Sequence, residues 1–147
     1  MEWKDIDKDY SIAEVEPGGS VAEAMTDFCM HIKERVIPQN ENEGLHWDCL
    51  SVELWPDSGR MIAFPSLTST RERIEKAACQ VMFGDLLAKF DELGNLGLED
   101  KAFEAAVLRE IRVWIDKFLD AAGKVNLTGH IRFFEFDEDS PLHEERL

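Results

Sequence analysis

The run Leu45-His46-Trp47-Asp48-Cys49-Leu50-Ser51-Val52-Glu53-Leu54-Trp55, followed by Pro56-Asp57-Ser58-Gly59 and then Arg60-Met61-Ile62-Ala63-Phe64, decides the fold class. Side chains alternate across a strand. Leu45, Trp47, Cys49, Ser51, Glu53 and Trp55 therefore share one face, and His46, Asp48, Leu50, Val52 and Leu54 share the other. The four residues between the runs put Pro and Asp early and Gly last. A type I turn followed by a left-handed residue needs that order, so Leu45–Trp55 and Arg60–Phe64 read as a hairpin. The apolar character crosses faces partway along the first strand. Either a bulge or a strand covered on both sides produces that pattern.

On the N-terminal side, Ser20-Val21-Ala22-Glu23 is a capping box, in which the Ser and Glu side chains satisfy otherwise orphaned N–H groups. Val21, Met25, Phe28, Ile32 and Val36 follow at three- and four-residue steps, predicting a helix that Pro38 ends. Residues 1 to about 18 read as a loose arm. Within it Ile12, Ala13 and Val15 offer a short strand, closed by Pro17-Gly18-Gly19.

On the C-terminal side, Ser69-Thr70-Arg71-Glu72 is a second capping box. It opens a helix through Ile74, Ala77, Ala78, Val81 and Met82, which Gly84 kinks or splits before Leu86, Leu87, Phe90 and Leu93. Asp100 to about Ala122 reads as a long helix with a wide apolar stripe: Phe103, Val107, Ile111, Trp114 and Phe118. His130–Phe136 is a final strand, apolar on both faces, that pairs with the hairpin. An acidic tail from Asp137 to Leu147 follows. The order α-β-β-α-α-β predicts a single α+β domain. It has a small antiparallel sheet, made of the hairpin plus the C-terminal strand, packed by three or more helices.

Composition narrows the function. Asp and Glu number 31 against 16 Lys and Arg, a formal charge of −15. That sign disfavours nucleic acid and anionic membrane surfaces as partners and favours a basic one. Hydrophobic residues make up 44% of the chain, enough for a packed core. Met1-Glu2-Trp3-Lys4-Asp5 lacks the basic-then-apolar order of a secretory signal. Cys29, Cys49 and Cys79 are an odd set without CxxC spacing, which suits reduced thiols in a cytoplasmic protein. No residue pattern implies a cofactor or a metal site.

Two local features carry chemistry. His46 and Asp48 share a strand face, a spacing that suits two metal ligands or a base with its orienting carboxylate. No second pair converges on them, so a solvent-facing polar pair is the plainer reading. Trp47, Glu53, Trp55 and Asp57 form an aromatic–acidic strip of the kind found at protein interfaces. Packing of both tryptophans under a helix is the alternative.

The layout of Trp47–Phe64, of Phe83–Leu96 with Phe90-Asp91-Glu92-Leu93, and of Ile131–Leu147 with Phe133-Phe134-Glu135-Phe136-Asp137-Glu138-Asp139 before Arg146-Leu147 resembles a known plan. It is that of the small acidic α+β immunity proteins of bacterial polymorphic-toxin systems. The resemblance is one of patterning over about half the chain, and Ser20–Val36 has no counterpart in it. It implies tight binding to a cognate toxin domain without catalysis. The leading expectation is a non-catalytic inhibitor, monomeric or weakly dimeric, that covers the active site of a basic toxin such as a nuclease. Charge and exposure nominate Glu53, Asp57, Asp137, Glu138 and Asp139 as contacts, with Trp55 as apolar anchor. The competing expectations are a general or self-associating interaction module, and a small enzyme using His46 and Asp48.

Overall fold

The structure is a computed structural model and describes residues 11–15, 19–68, 77–135, 138 and 140–147. Strand β1 (Ser11–Val15) precedes helix α1 (Val21–His31), whose Ser20 Oγ accepts the Glu23 N–H at 3.2 Å, as the capping box requires. The helix does not stop at Pro38. It widens into a π-helical turn over Ile32–Val36, with the Ile37 N–H bonded to the Ile32 carbonyl. It then continues as α2 (Ile37–Asn42), where Pro38 sits in the first turn and its missing N–H is tolerated. Asn40, fully buried, fastens this rod to the sheet. Its Nδ2 donates to the Val36 and Ala77 carbonyls, and its Oδ1 accepts the Ala77 N–H.

The hairpin forms, with β2 (Cys49–Trp55) and β3 (Arg60–Ser66) paired antiparallel from Cys49↔Ser66 to Trp55↔Arg60, although Leu45–Asp48, expected in the first strand, precede it. Gly59 takes the left-handed conformation at φ 71° and closes the turn. Its amide bonds to the Pro56 carbonyl.

The segment expected as the second helix is a correction. Ala77–Met82 is strand β4, paired antiparallel with β3 and parallel with β1. A short apolar run reads equally well as a buried helix or a buried strand. Here neighbours on both sides take up its backbone groups and decide the matter. The capping box Ser69–Glu72 lies outside the described residues. Gly84 does split the element, since α3 (Gly84–Gly94) begins there. α4 (Asp100–Lys124) runs slightly past Gly123 and buries Val107, Ile111, Trp114 and Phe118 as the stripe predicts.

β5 (His130–Glu135) and β6 (His143–Arg146) complete a six-stranded mixed sheet in the order β1-β4-β3-β2-β5-β6. The predicted small antiparallel sheet is corrected in three ways. The short strand offered by Ile12, Ala13 and Val15 does form, but as β1 of this sheet rather than part of a loose arm, the supposed acidic tail contributes β6, and β5 joins β2 parallel rather than antiparallel. The long connection from β2 to β5, through two further strands and two helices, leaves room for a parallel return. β2 is thus an interior strand covered on both sides, which explains its apolar crossover without a bulge.

One face of the sheet supplies Val15, Leu50, Val52, Leu54, Met61, Ala63, Cys79, Val81, Ile131 and Phe133 to a core shared with α1 and α4. An aromatic chain crosses it: Phe28 meets Phe118 edge-on at 6.1 Å, and Phe118 meets Phe133 at 5.4 Å. Ile62, Phe64 and Ala78 form a smaller cluster on the other face, with Trp55 packed against it. Among the described residues no helix is long and apolar enough to cross a membrane.

An acidic cleft at the end of strands β2 and β5

Strands β2 and β5 run side by side, Leu54 opposite Glu135, so their C-terminal ends lie together. The segments that leave the two strands therefore meet at one end of the sheet. From β2 come Pro56 and Asp57 of the hairpin turn. From β5 come Glu135 itself, Glu138, whose N–H bonds the Glu135 carbonyl at 3.2 Å, and then Ser140, Pro141 and Leu142. Leu142 is tied back by its N–H to the Phe133 carbonyl at 2.7 Å. Helices α3 and α4 close the site with Phe90, Phe103, Glu104, Val107 and Leu108. Between them lies a cleft of about 550 Å³.

Its chemistry is divided. Phe90 and Phe103 meet edge-to-face at 5.7 Å and, with Val107, Leu108 and Leu142, give an apolar floor. Asp57, Glu104, Glu135 and Glu138 supply four carboxylates, and no Lys, Arg or His is among the described residues that line the cleft. Glu135 is half-buried. Burial pushes its carboxyl above the usual glutamate range, and the nearby charges of Glu138 and Glu104 push it the same way. A cation entering the cleft relieves that repulsion, whereas an anion adds to it.

The nominated residues separate. Asp57 and Glu138 are brought together in the cleft. Glu53 and Trp55 alternate with Leu54 and so lie toward the other face of β2, both half-buried, with Trp55 against Ile62, Phe64 and Ala78. Asp137 and Asp139 lie outside the described residues. Sequence reasoning misses Glu104 and Glu135. The available signal is an acid inside the otherwise apolar His130–Phe136 run, and a second, exposed acid beside the half-buried Phe103 in the first turns of α4.

His46 and Asp48 are both exposed, and Asp48 is engaged elsewhere. Its Oδ1 accepts the Thr68 N–H at 2.7 Å and its Oδ2 the Thr68 hydroxyl at 2.8 Å, which holds the carboxyl below its usual range and ties the start of β2 to the end of β3. The other histidines are spread out: His130 Nε2 lies 4.0 Å from Glu144, and His143 Nε2 lies 3.9 Å from Glu145. Arg132, 8% exposed, pairs through Nε with Glu144 at 3.2 Å. Among the described residues no group of three or more His, Cys, Asp or Glu side chains is placed to hold a metal ion. Cys49 Sγ lies 3.2 Å from Ser66 Oγ, itself 2.6 Å from Ser51 Oγ, in a closed and buried network.

No protein-family model, curated protein or solved structure matches this chain.

Proposed function

We propose that this protein is a non-catalytic acidic binder that holds a basic protein partner at the cleft and blocks that partner's working surface, as a toxin inhibitor does. One observation carries the reading: Asp57, Glu104, Glu135 and Glu138, from three separate parts of the chain, surround a single aromatic-floored cleft. The net charge of −15 supports it at longer range, since such a field speeds the approach of a basic surface and does so in a salt-dependent way. A partner surface that evolved to hold phosphates presents the complementary charge. Asp57 and Glu138 are then direct contacts. Glu53 and Trp55, on the other face of β2, would serve a larger partner that reaches around the end of the sheet.

The test compares the immobilised protein with a variant carrying Asp57→Asn, Glu104→Gln and Glu138→Gln, both exposed to lysate at low salt. The expected result is one basic protein retained by the parent, released as salt rises and lost from the variant. Its own activity falls when the parent protein is added in equal amount. Equal retention by parent and variant, or a retained partner that stays fully active, overturns the proposal.

A further inference from the structure

We propose that the cleft is a receptacle for one arginine side chain of that partner, an assignment that rests on the cleft being the binding site. A volume of about 550 Å³ lies within the range of pockets that enclose a ligand, and holds an arginine together with the adjoining backbone. The lining matches the two ends of that side chain. Phe90, Phe103 and Leu142 suit its methylene stem, and the aromatic rings also attract a planar cation laid against them. Glu104 and Glu138 line the same cleft as Glu135, and each stands close enough for Glu135 to feel its charge. Such a group of carboxylates is better served by a guanidinium, with five N–H donors in a rigid fork, than by the three donors of an ammonium. Charge complementarity singles out a cation, and the apolar floor singles out an organic one. Among the described residues no three of these carboxylates are placed to hold a metal ion together.

The probe is N-acetyl-arginine methylamide, with its lysine and norleucine counterparts, titrated into the full chain while the ring signals of Phe90 and Phe103 are followed by NMR. The arginine compound is expected to saturate these signals with a Kd of about 1 mM, the scale set by its size. Lysine is expected to bind at least threefold more weakly and norleucine at least tenfold. The Glu104→Gln/Glu138→Gln variant, checked for an unchanged melting temperature, should lose about tenfold in arginine affinity. Equal binding of arginine and norleucine, a linear response without saturation, or an unaffected double variant each overturns the assignment. The two readings fail separately. If cleft variants lose the captured basic partner while the arginine probe behaves like norleucine, the binding site stands and the arginine assignment falls. If the partner is retained undiminished by cleft variants, the binding site itself falls.

Discussion

Replacing Gly59 by Ala tests the contact between the hairpin turn and the start of α3. Gly59 has φ 71°, a left-handed conformation that costs an L-residue about 1 kcal/mol. A Cβ there would also lie 2.6 Å from the Phe83 carbonyl oxygen and 3.0 Å from Leu87 Cβ. The first contact is with backbone, so the turn must move rather than a flexible side chain. The same movement strains the Phe83 N–H to Gly59 carbonyl bond, now 2.7 Å, which contributes about 1 kcal/mol. Strain, lost bond and lost packing together give about 3 kcal/mol, or a melting temperature lower by about 10 °C in a chain of this length. Gly44 is the matched control. Its φ is 73°, yet nothing lies within 4 Å of the position a Cβ would take. Gly44→Ala should therefore lose only the conformational part, about 1 kcal/mol. Urea unfolding followed by tryptophan fluorescence reads both variants, with equal slopes confirming that the unfolded state is unchanged. If Gly59→Ala costs no more than Gly44→Ala, the close contact between turn and α3 is absent and the reasoning fails.

Three further outcomes are expected. Glu135 has a folded pKa above its ordinary value of 4.5, so just above that pH the native state keeps a proton the unfolded chain has released, and stability falls as pH rises. Glu135→Gln should raise the melting temperature by about 1 °C at pH 7, a small gain because the group is only half-buried and solvent screens it, and leave it unchanged at pH 4; a fall at pH 7 would refute this. All three cysteines are buried, and burial pushes the Cys29 thiol up to about 12 and raises Cys79 as well. A disulfide reagent at pH 8 should therefore label none in the native protein and all three in denaturant, and one fast-reacting native thiol would contradict the packing. Asn40→Ala removes three buried side-chain hydrogen bonds to Val36 and Ala77 and should cost about 3 kcal/mol in urea unfolding; a loss below about 1 kcal/mol would show that the rod is held to β4 by other means.

The hairpin and the long helix were legible because their signals are local. Pro56-Asp57-Ser58-Gly59 dictates its own turn, and the Phe103–Phe118 stripe repeats often enough to fix its period. β4 was not legible, because Ala77, Ala78, Cys79 and Val81 satisfy helix spacing, and only pairing with β1 and β3 chooses the strand. β6 was hidden for a related reason. His143-Glu144-Glu145-Arg146 is a charged edge strand held by backbone bonds and by Glu144 against Arg132, and nothing in its composition announces a strand. Within the site, charge and position are enough to find Asp57 and Glu138. Phe90 and Phe103 read wholly as core, since helical spacing does not separate a residue under the sheet from one beside a cleft.

Strand direction links the fold to the site. Had β5 returned antiparallel to β2, Glu135 and Glu138 would lie beside Cys49, at the far end of the sheet from Asp57. Parallel pairing instead puts both strand ends at one end of the sheet, so Asp57 of the hairpin turn and Glu135 and Glu138 line one cleft. Loops leaving the C-terminal ends of neighbouring parallel strands diverge over a crevice in many mixed sheets, and ligands settle there. Here α3 and α4 floor the crevice with Phe90 and Phe103. Carboxylates that the chain keeps far apart in sequence are thereby forced together on an apolar surface, an arrangement that favours occupation by an organic cation. The cleft then depends on β5 keeping its parallel register. A substitution that loosens it, such as Phe133→Ala beneath Phe118 and His143, should weaken arginine-probe binding as well as stability. A variant that loses about 3 kcal/mol of stability yet binds the probe like the parent would break that link.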